Sequence, residues 1–201
     1  MISNFRQPRF FKVLRRSFFE PSADVVAREL LGHYLVRHTA SGPAGGVVVE
    51  TEAYLVDDPA SHGFHRRTDR NRSMYGAPGR AYVYFIYGNH YCFNAVCRPE
   101  GMAEAVLIRA LEPRFGLPWM QARRAGRGDH QLTNGPAKLC VALDIDRSLD
   151  GVDLCDKHSA VFLARNQDRD ELCETRGPMD VTPRIGITKA ADRLLRFVLP
   201  E

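Results

Sequence analysis

Residues 47–54 read Val-Val-Val-Glu-Thr-Glu-Ala-Tyr, an apolar run of strand composition that carries two carboxylates. Successive side chains of a strand point to opposite faces, so Glu50, Glu52 and Tyr54 are expected on one face and Val47, Val49, Thr51 and Ala53 on the other. Carboxylates are almost never fully buried without a partner. That face is therefore either wetted or functional. Upstream, Pro21 and Ser22 mark a helix start, with Asp24 in the first turn where a negative charge suits the helix dipole. Val25, Val26, Leu30 and Leu31 recur at helical spacing, and Gly32 ends the helix. A short strand over 34–37 then passes through a Ser-Gly-Pro-Ala-Gly-Gly turn at 41–46 into the carboxylate strand, which predicts an antiparallel pair.

From 55 to 79 the pattern dissolves into Asp, Pro, Gly, His and Arg with no period. A stretch of that length without structure is usually functional or disordered, and His62, His65 and the arginines beside them favour function. Beyond it, Gly88-Asn89 separates two aromatic, strand-forming runs, 82–87 and 90–96, which is a two-residue hairpin pattern. Tyr87 and His90 stand at the tip, where a ring either packs on a neighbouring loop or protrudes as a wedge that unstacks bases. Residues 105–111 alternate again, placing Leu107, Arg109 and Leu111 together, with Glu50 and Glu52 as candidate partners for the arginine. Glu112-Pro113 is expected to break that strand, and a short helix follows around 119–124. Thr133-Asn134-Gly135-Pro136 reads as a helix N-terminus capped by Asn134. Its free N–H groups, with Lys138 nearby, suit either plain capping or a phosphate. Strands are expected at 160–164 and 184–188, separated by a charged loop, and at 194–199.

Composition narrows the class. The chain has 201 residues, 44% hydrophobic and 26% charged, which suits one soluble globular domain. The net charge of +4 is unevenly spread: residues 1–19 hold Arg6, Arg9, Lys12, Arg15 and Arg16 with no acid, leaving 23 basic and 24 acidic side chains elsewhere. Residues 1–20 thus form a basic, phenylalanine-rich arm ahead of a domain at 21–201. Its rings could dock on that domain or lie on nucleic acid. Arginines cluster again at 66, 67, 70 and 72 and at 114, 123, 124 and 127, patches that suit a polyanion or a solvated surface equally. Five cysteines without zinc-type spacing fit a reducing compartment. No apolar run is long enough to span a membrane, and the N-terminal segment lacks the apolar stretch of a signal peptide.

Six motifs occur in a recognisable order: Val49-Glu-Thr-Glu-Ala-Tyr54, then His62, Thr68 with Arg70-Asn71-Arg72, Tyr82-Val-Tyr-Phe-Ile-Tyr-Gly88, Arg109-Ala-Leu-Glu-Pro113 and Gly135-Pro-Ala-Lys-Leu-Cys140. The chain resembles the alkyladenine (3-methyladenine) DNA glycosylase family over roughly residues 27–188. The resemblance implies an α+β single domain with a curved, largely antiparallel sheet, surrounding helices and a protruding hairpin. It implies a monofunctional base-excision enzyme without metal or organic cofactor, acting as a monomer on double-stranded DNA that contains damaged purines. Its place would be the bacterial cytoplasm beside the nucleoid, or a eukaryotic nucleus.

Carried over by motif position, Glu52 is the general base, with Arg109 beside it. Tyr54, His62 and Tyr84 wall the base pocket, and Asn94 crowds the exocyclic amine of normal guanine. Tyr87 is the wedge. The resemblance further implies that Asn89, His90, Arg67, Thr68, Arg70, Arg72, Gly135 and Lys138 face DNA. The chain departs from some relatives at Asp69, where they carry proline, and at Asn89-His90, where they carry Met-Tyr. A tryptophan expected near the C-terminus is also missing. Two rival readings remain open at this point: a nucleic-acid-binding protein that has lost its chemistry, and a hydrolase of small purine nucleosides.

Overall fold

A computed structural model describes residues 11–86 and 88–200. In chain order these form β1 (Lys12–Val13), α1 (Ala23–Leu30), β2 (Tyr34–Thr39), β3 (Gly42–Tyr54), β4 (Ala81–Ile86), β5 (His90–Cys97) and β6 (Glu104–Phe115). There follow α2 (Leu117–Arg123), α3 (Pro136–Ala142), β7 (Val161–Arg165), α4 (Arg169–Arg176), β8 (Asp180–Thr182) and β9 (Arg196–Val198). The strands make one curled sheet in the order β1-β7-β2-β3-β6-β5-β4, antiparallel at every pairing. The fold is α+β in a single domain.

Helix α1 packs Val26, Ala27 and Leu30 into the main core, as its spacing requires. Ser22 precedes it but bonds Asp24 instead of capping; the Ala23 N–H is taken at 2.8 Å by the buried Glu104 carboxylate. Phe19, expected in the arm, is fully buried in this same core. Phe11 stacks against Phe115 at 5.1 Å on the other side of the sheet.

Strand β3 departs from simple alternation. It pairs with β2 over its first half and with β9 at Glu50–Glu52, and a bulge sits between Val48 and Thr51 where the partner changes. The extra residue resets the phase. Val48 and Ala53 therefore join the main core, while Val47 joins Tyr34, Phe115 and Phe162 in a separate cluster. Strand β6 shifts in step, so Leu111 lies in the main core with Val106 and Ile108 instead of beside Leu107 and Arg109.

Four more expectations are corrected. The glycine-rich stretch at 42–46 is strand, not turn; only residues 40 and 41 turn the chain. Gly45 and Gly46 serve close crossings, since a Cβ there would lie 2.0 Å from the Leu35 and 1.9 Å from the Glu112 carbonyl oxygen, respectively. Pro113 does not end β6, because there the strand has lost β5 and runs beside β3 alone. The hairpin closes with Ile86 opposite His90, a three-residue connection rather than two. Residues 184–188 form an irregular loop, and the charged segment before it contains α4 and β8. No helix among the described residues is long and apolar enough to cross a membrane.

Candidate active site

Four neighbouring strands, β3, β6, β5 and β4, deliver side chains to one cavity of about 220 Å³ on the sheet face away from the main core. Glu52 and Tyr54 come from β3, Arg109 from β6, Cys92 and Asn94 from β5, and Tyr82 and Tyr84 from β4. His62 enters from the irregular stretch, and residues 185–187 close the rim. The volume lies below the roughly 300–1,000 Å³ of sites for drug-sized ligands, so it suits one small ring system.

Glu52 is fully buried, and both carboxylate oxygens have partners. Its Oε1 accepts the Ile185 N–H at 2.8 Å and faces Arg109 Nη1 at 3.2 Å, while Oε2 accepts the Tyr54 hydroxyl at 3.0 Å. Each donor complements a charged oxygen. Burial disfavours the Arg109 cation, but Glu52 and Glu50 together overcome it and raise its pKa, so the guanidinium stays charged.

The cavity walls are aromatic and neutral. Burial first, then the neighbouring Glu52, raises the Tyr54 phenol well above its ordinary pKa. Burial likewise raises Tyr82 and Tyr84, the latter with help from Cys92. His62 stands edge-on to Tyr84 with ring centroids 4.5 Å apart, and its Nδ1 lies 2.8 Å from the Tyr82 hydroxyl. Loss of water around the ring, then the charge of Arg70, lowers the His62 pKa. His62 is nonetheless exposed to solvent. Asn94 is buried and donates from Nδ2 to the Tyr82 carbonyl at 3.0 Å, which fixes its amide at the cavity wall.

The loop that presents His62 is tied by buried Asn71. Its Nδ2 donates to the carbonyls of His62 at 2.8 Å and Arg66 at 3.1 Å, and its Oδ1 accepts the Thr68 N–H at 2.6 Å. Beside the cavity, and sharing His62 and Gly186 with it, runs an open groove of about 630 Å³ that includes Arg66, Thr68, Arg70 and Lys189. Among the described residues no group of three or more His, Cys, Asp or Glu side chains is placed to hold a metal ion.

The sequence has counterparts among known proteins. The family model described as Methylpurine-DNA glycosylase (MPG) matches residues 17–201. The chain belongs to this family. A relative from Rhizobium meliloti (strain 1021) is 46% identical over 90% of this chain and 90% of its own length. Relatives from Francisella tularensis (strain SCHU S4) and Carboxydothermus hydrogenoformans are 45% and 43% identical, over 87% and 93% of this chain and 89% and 95% of theirs. All three carry the name "Putative 3-methyladenine DNA glycosylase".

Six of the residues singled out from sequence meet in the cavity: Glu52, Arg109, Tyr54, His62, Tyr84 and Asn94. Thr68 and Arg70 line the groove, where the Arg70 guanidinium also lies 5.9 Å over the Tyr84 ring. Arg67 packs over Tyr75, and Arg72 is exposed outside both spaces. Asn89 and His90 sit at the hairpin end and do not line the cavity; Tyr87 lies outside the described residues. At the start of α3 the cap is Gly135, not Asn134, whose Oδ1 instead accepts from Lys138 at 2.9 Å. Pro136, not Gly135 or Lys138, reaches the cavity.

Sequence reasoning missed Ile185, Arg184, Asp58 and Arg196. The last of these shares Glu50 Oε1 with Arg109, at 2.6 and 2.8 Å. An arginine inside an apparent strand was the available sign for Arg184, but its acid lies 126 positions away.

Proposed function

We propose that the protein is a DNA glycosylase that takes an alkylated purine out of duplex DNA into the cavity and hydrolyses its bond to deoxyribose with water activated by Glu52. The observation that carries this reading is a fully buried carboxylate, held by three donors, opening on a small pocket walled by Tyr54, Tyr84 and His62.

An alkylated purine carries positive charge. Electron-rich ring faces attract such a cation, and neutral phenols keep that attraction over the physiological pH range. Base–aromatic stacking contributes about 1–3 kcal/mol per base, against the few kcal/mol that extrusion from the stack costs. The hairpin tip, with Tyr87 as wedge, fills the space left in the duplex, and Arg70, Arg72 and Lys138 contact phosphates.

A cationic purine leaves with the electron pair of the N-glycosidic bond, and the sugar becomes oxocarbenium-like. Water then adds to C1′ while Glu52 takes its proton. Oxygen Oε2 carries only the Tyr54 hydroxyl among the described residues, so it keeps a lone pair for that proton. The leaving group needs no second carboxyl as acid, unlike that of an ordinary glycosidase. No lysine is required, since no Schiff base forms; the enzyme hydrolyses the base bond without cutting the strand.

The test is release of free base from duplexes containing alkylated adenine, hypoxanthine or ethenoadenine, alongside the corresponding free nucleosides, at two salt concentrations. Release from duplex but not from nucleoside is expected. Salt-sensitive binding without release would contradict the enzymatic reading, and release from nucleosides alone would contradict the DNA substrate.

A further inference from the structure

One ion pair away from the reacting groups remains unexplained. Arg184 and Asp58 are both fully enclosed, with side chains at 0% exposure, and meet through the two terminal guanidinium nitrogens Nη1 and Nη2, the Nη2–Oδ1 arm at 3.0 Å. Enclosing such a pair costs the hydration of both ions, and an apolar pair of similar volume is often as stable or more so. Arg184 Nε, moreover, finds no partner among the described residues. The pair is therefore a poor candidate for a mere stability element.

Its contacts converge on Glu52 from two sides. The guanidinium also donates to the Ala53 carbonyl at 3.0 Å, next to Glu52 on β3. Its Cζ lies 4.7 Å over the ring of Tyr54, the phenol that donates to Glu52 Oε2. Along the chain, the residue after Arg184 is Ile185, whose N–H donates to Glu52 Oε1. Ile185 is 52% exposed and belongs to none of the core clusters. That N–H is thus placed by the buried side chain before it and the left-handed turn at Gly186 (φ 79°) after it. The acid has its own reach: Asp58 Oδ1 accepts the Ala60 N–H at 3.0 Å, and Ala60 lines the cavity two residues before His62.

We propose that Arg184 and Asp58 are positioning residues for the reaction: the pair fixes the Ile185 N–H and the Tyr54 ring against Glu52 and ties the His62 loop to the same point. This rests on the glycosylase reading above for its effect on rate, and on geometry alone for its effect on the Ile185 N–H.

The experiment uses the full chain carrying Arg184→Met with Asp58→Leu, an apolar replacement of both ions, and separately Asp58→Asn. Three quantities are read: the melting temperature, amide exchange of the 184–188 segment by mass spectrometry, and single-turnover base release with Kd for a methylated duplex. In the double variant the melting temperature should hold or rise, Kd should stay within about threefold, and release should slow by about tenfold or more, as expected of a misplaced catalytic group. The 184–188 amides should lose protection while β3 and β6 keep theirs. Wild-type exchange at 184–188 in a folded double variant overturns the inference even if wild-type protein releases no base, an outcome that would sink the glycosylase reading separately. Wild-type release in that variant overturns it also. If the double variant fails to fold, Asp58→Asn decides: slowed release per folded molecule supports positioning, and an unchanged rate overturns it.

Discussion

Arg109 donates from Nε to Glu50 Oε1 at 2.8 Å, and this contact turns its fork so that Nη1 faces Glu52 Oε1 at 3.2 Å. We propose that Glu50 supports the arginine and stays outside the proton transfer. The variant Glu50→Gln keeps the shape but weakens two charge-assisted bonds, those to Arg109 and Arg196. Base release should slow by roughly tenfold, the equivalent of one such bond, with lesion binding little changed. A loss as complete as that of Glu52→Gln would show that Glu50 takes part in the chemistry.

Stability should fall in mild acid because of His33. The residue is 6% exposed, and its Nδ1 accepts the Asn166 N–H at 3.3 Å, which requires the unprotonated ring. Burial, then Arg169 and Arg165, lowers its pKa from 6.5 to about 4. The unfolded chain thus binds the proton more readily, so the contribution of neutral His33 is complete above its unfolded pKa and drains away as the pH falls toward 4. Denaturant titrations should show about 2 kcal/mol of stability lost through this group between pH 7 and pH 5. His33→Gln should shrink the decline by that amount; an identical decline in the variant would assign the acid sensitivity elsewhere.

The crossing of β3 and β6 tests the fold directly. Gly46→Ala places a Cβ 1.9 Å from a backbone carbonyl that has no freedom to retreat. Destabilisation on the order of 3 kcal/mol is expected, visible as a lower denaturant midpoint at unchanged slope. Gly88→Ala meets nothing within 4 Å and strains only its own left-handed φ of 76°, so it should cost much less. Equal midpoints for the two variants would contradict the close crossing.

The sequence made much of the site legible because most of its residues ride on strands, and alternation holds across the short stretches that carry them. Glu52, Tyr54, Tyr84, Asn94 and Arg109 all followed from period two or from motif order, and all line the cavity. Illegible were features set by long-range pairing. The bulge at Val48–Thr51 follows from β3 changing partners, which no local window reveals. Gly45 and Gly46 belong to a stretch of turn composition, yet they let backbones cross. The 184–188 stretch alternates like a strand, but Arg184 is drawn inward by Asp58 and leaves the backbone to serve Glu52.

The central claim is that Glu52 activates the water. The decisive measurement is single-turnover release of base from a methylated duplex by Glu52→Gln, a nearly isosteric change that removes the capacity to take a proton together with the charge facing Arg109. A general base typically contributes about 10²–10⁴ in rate, so release should fall at least about a hundredfold while the duplex still binds. Release at the wild-type rate would contradict the account.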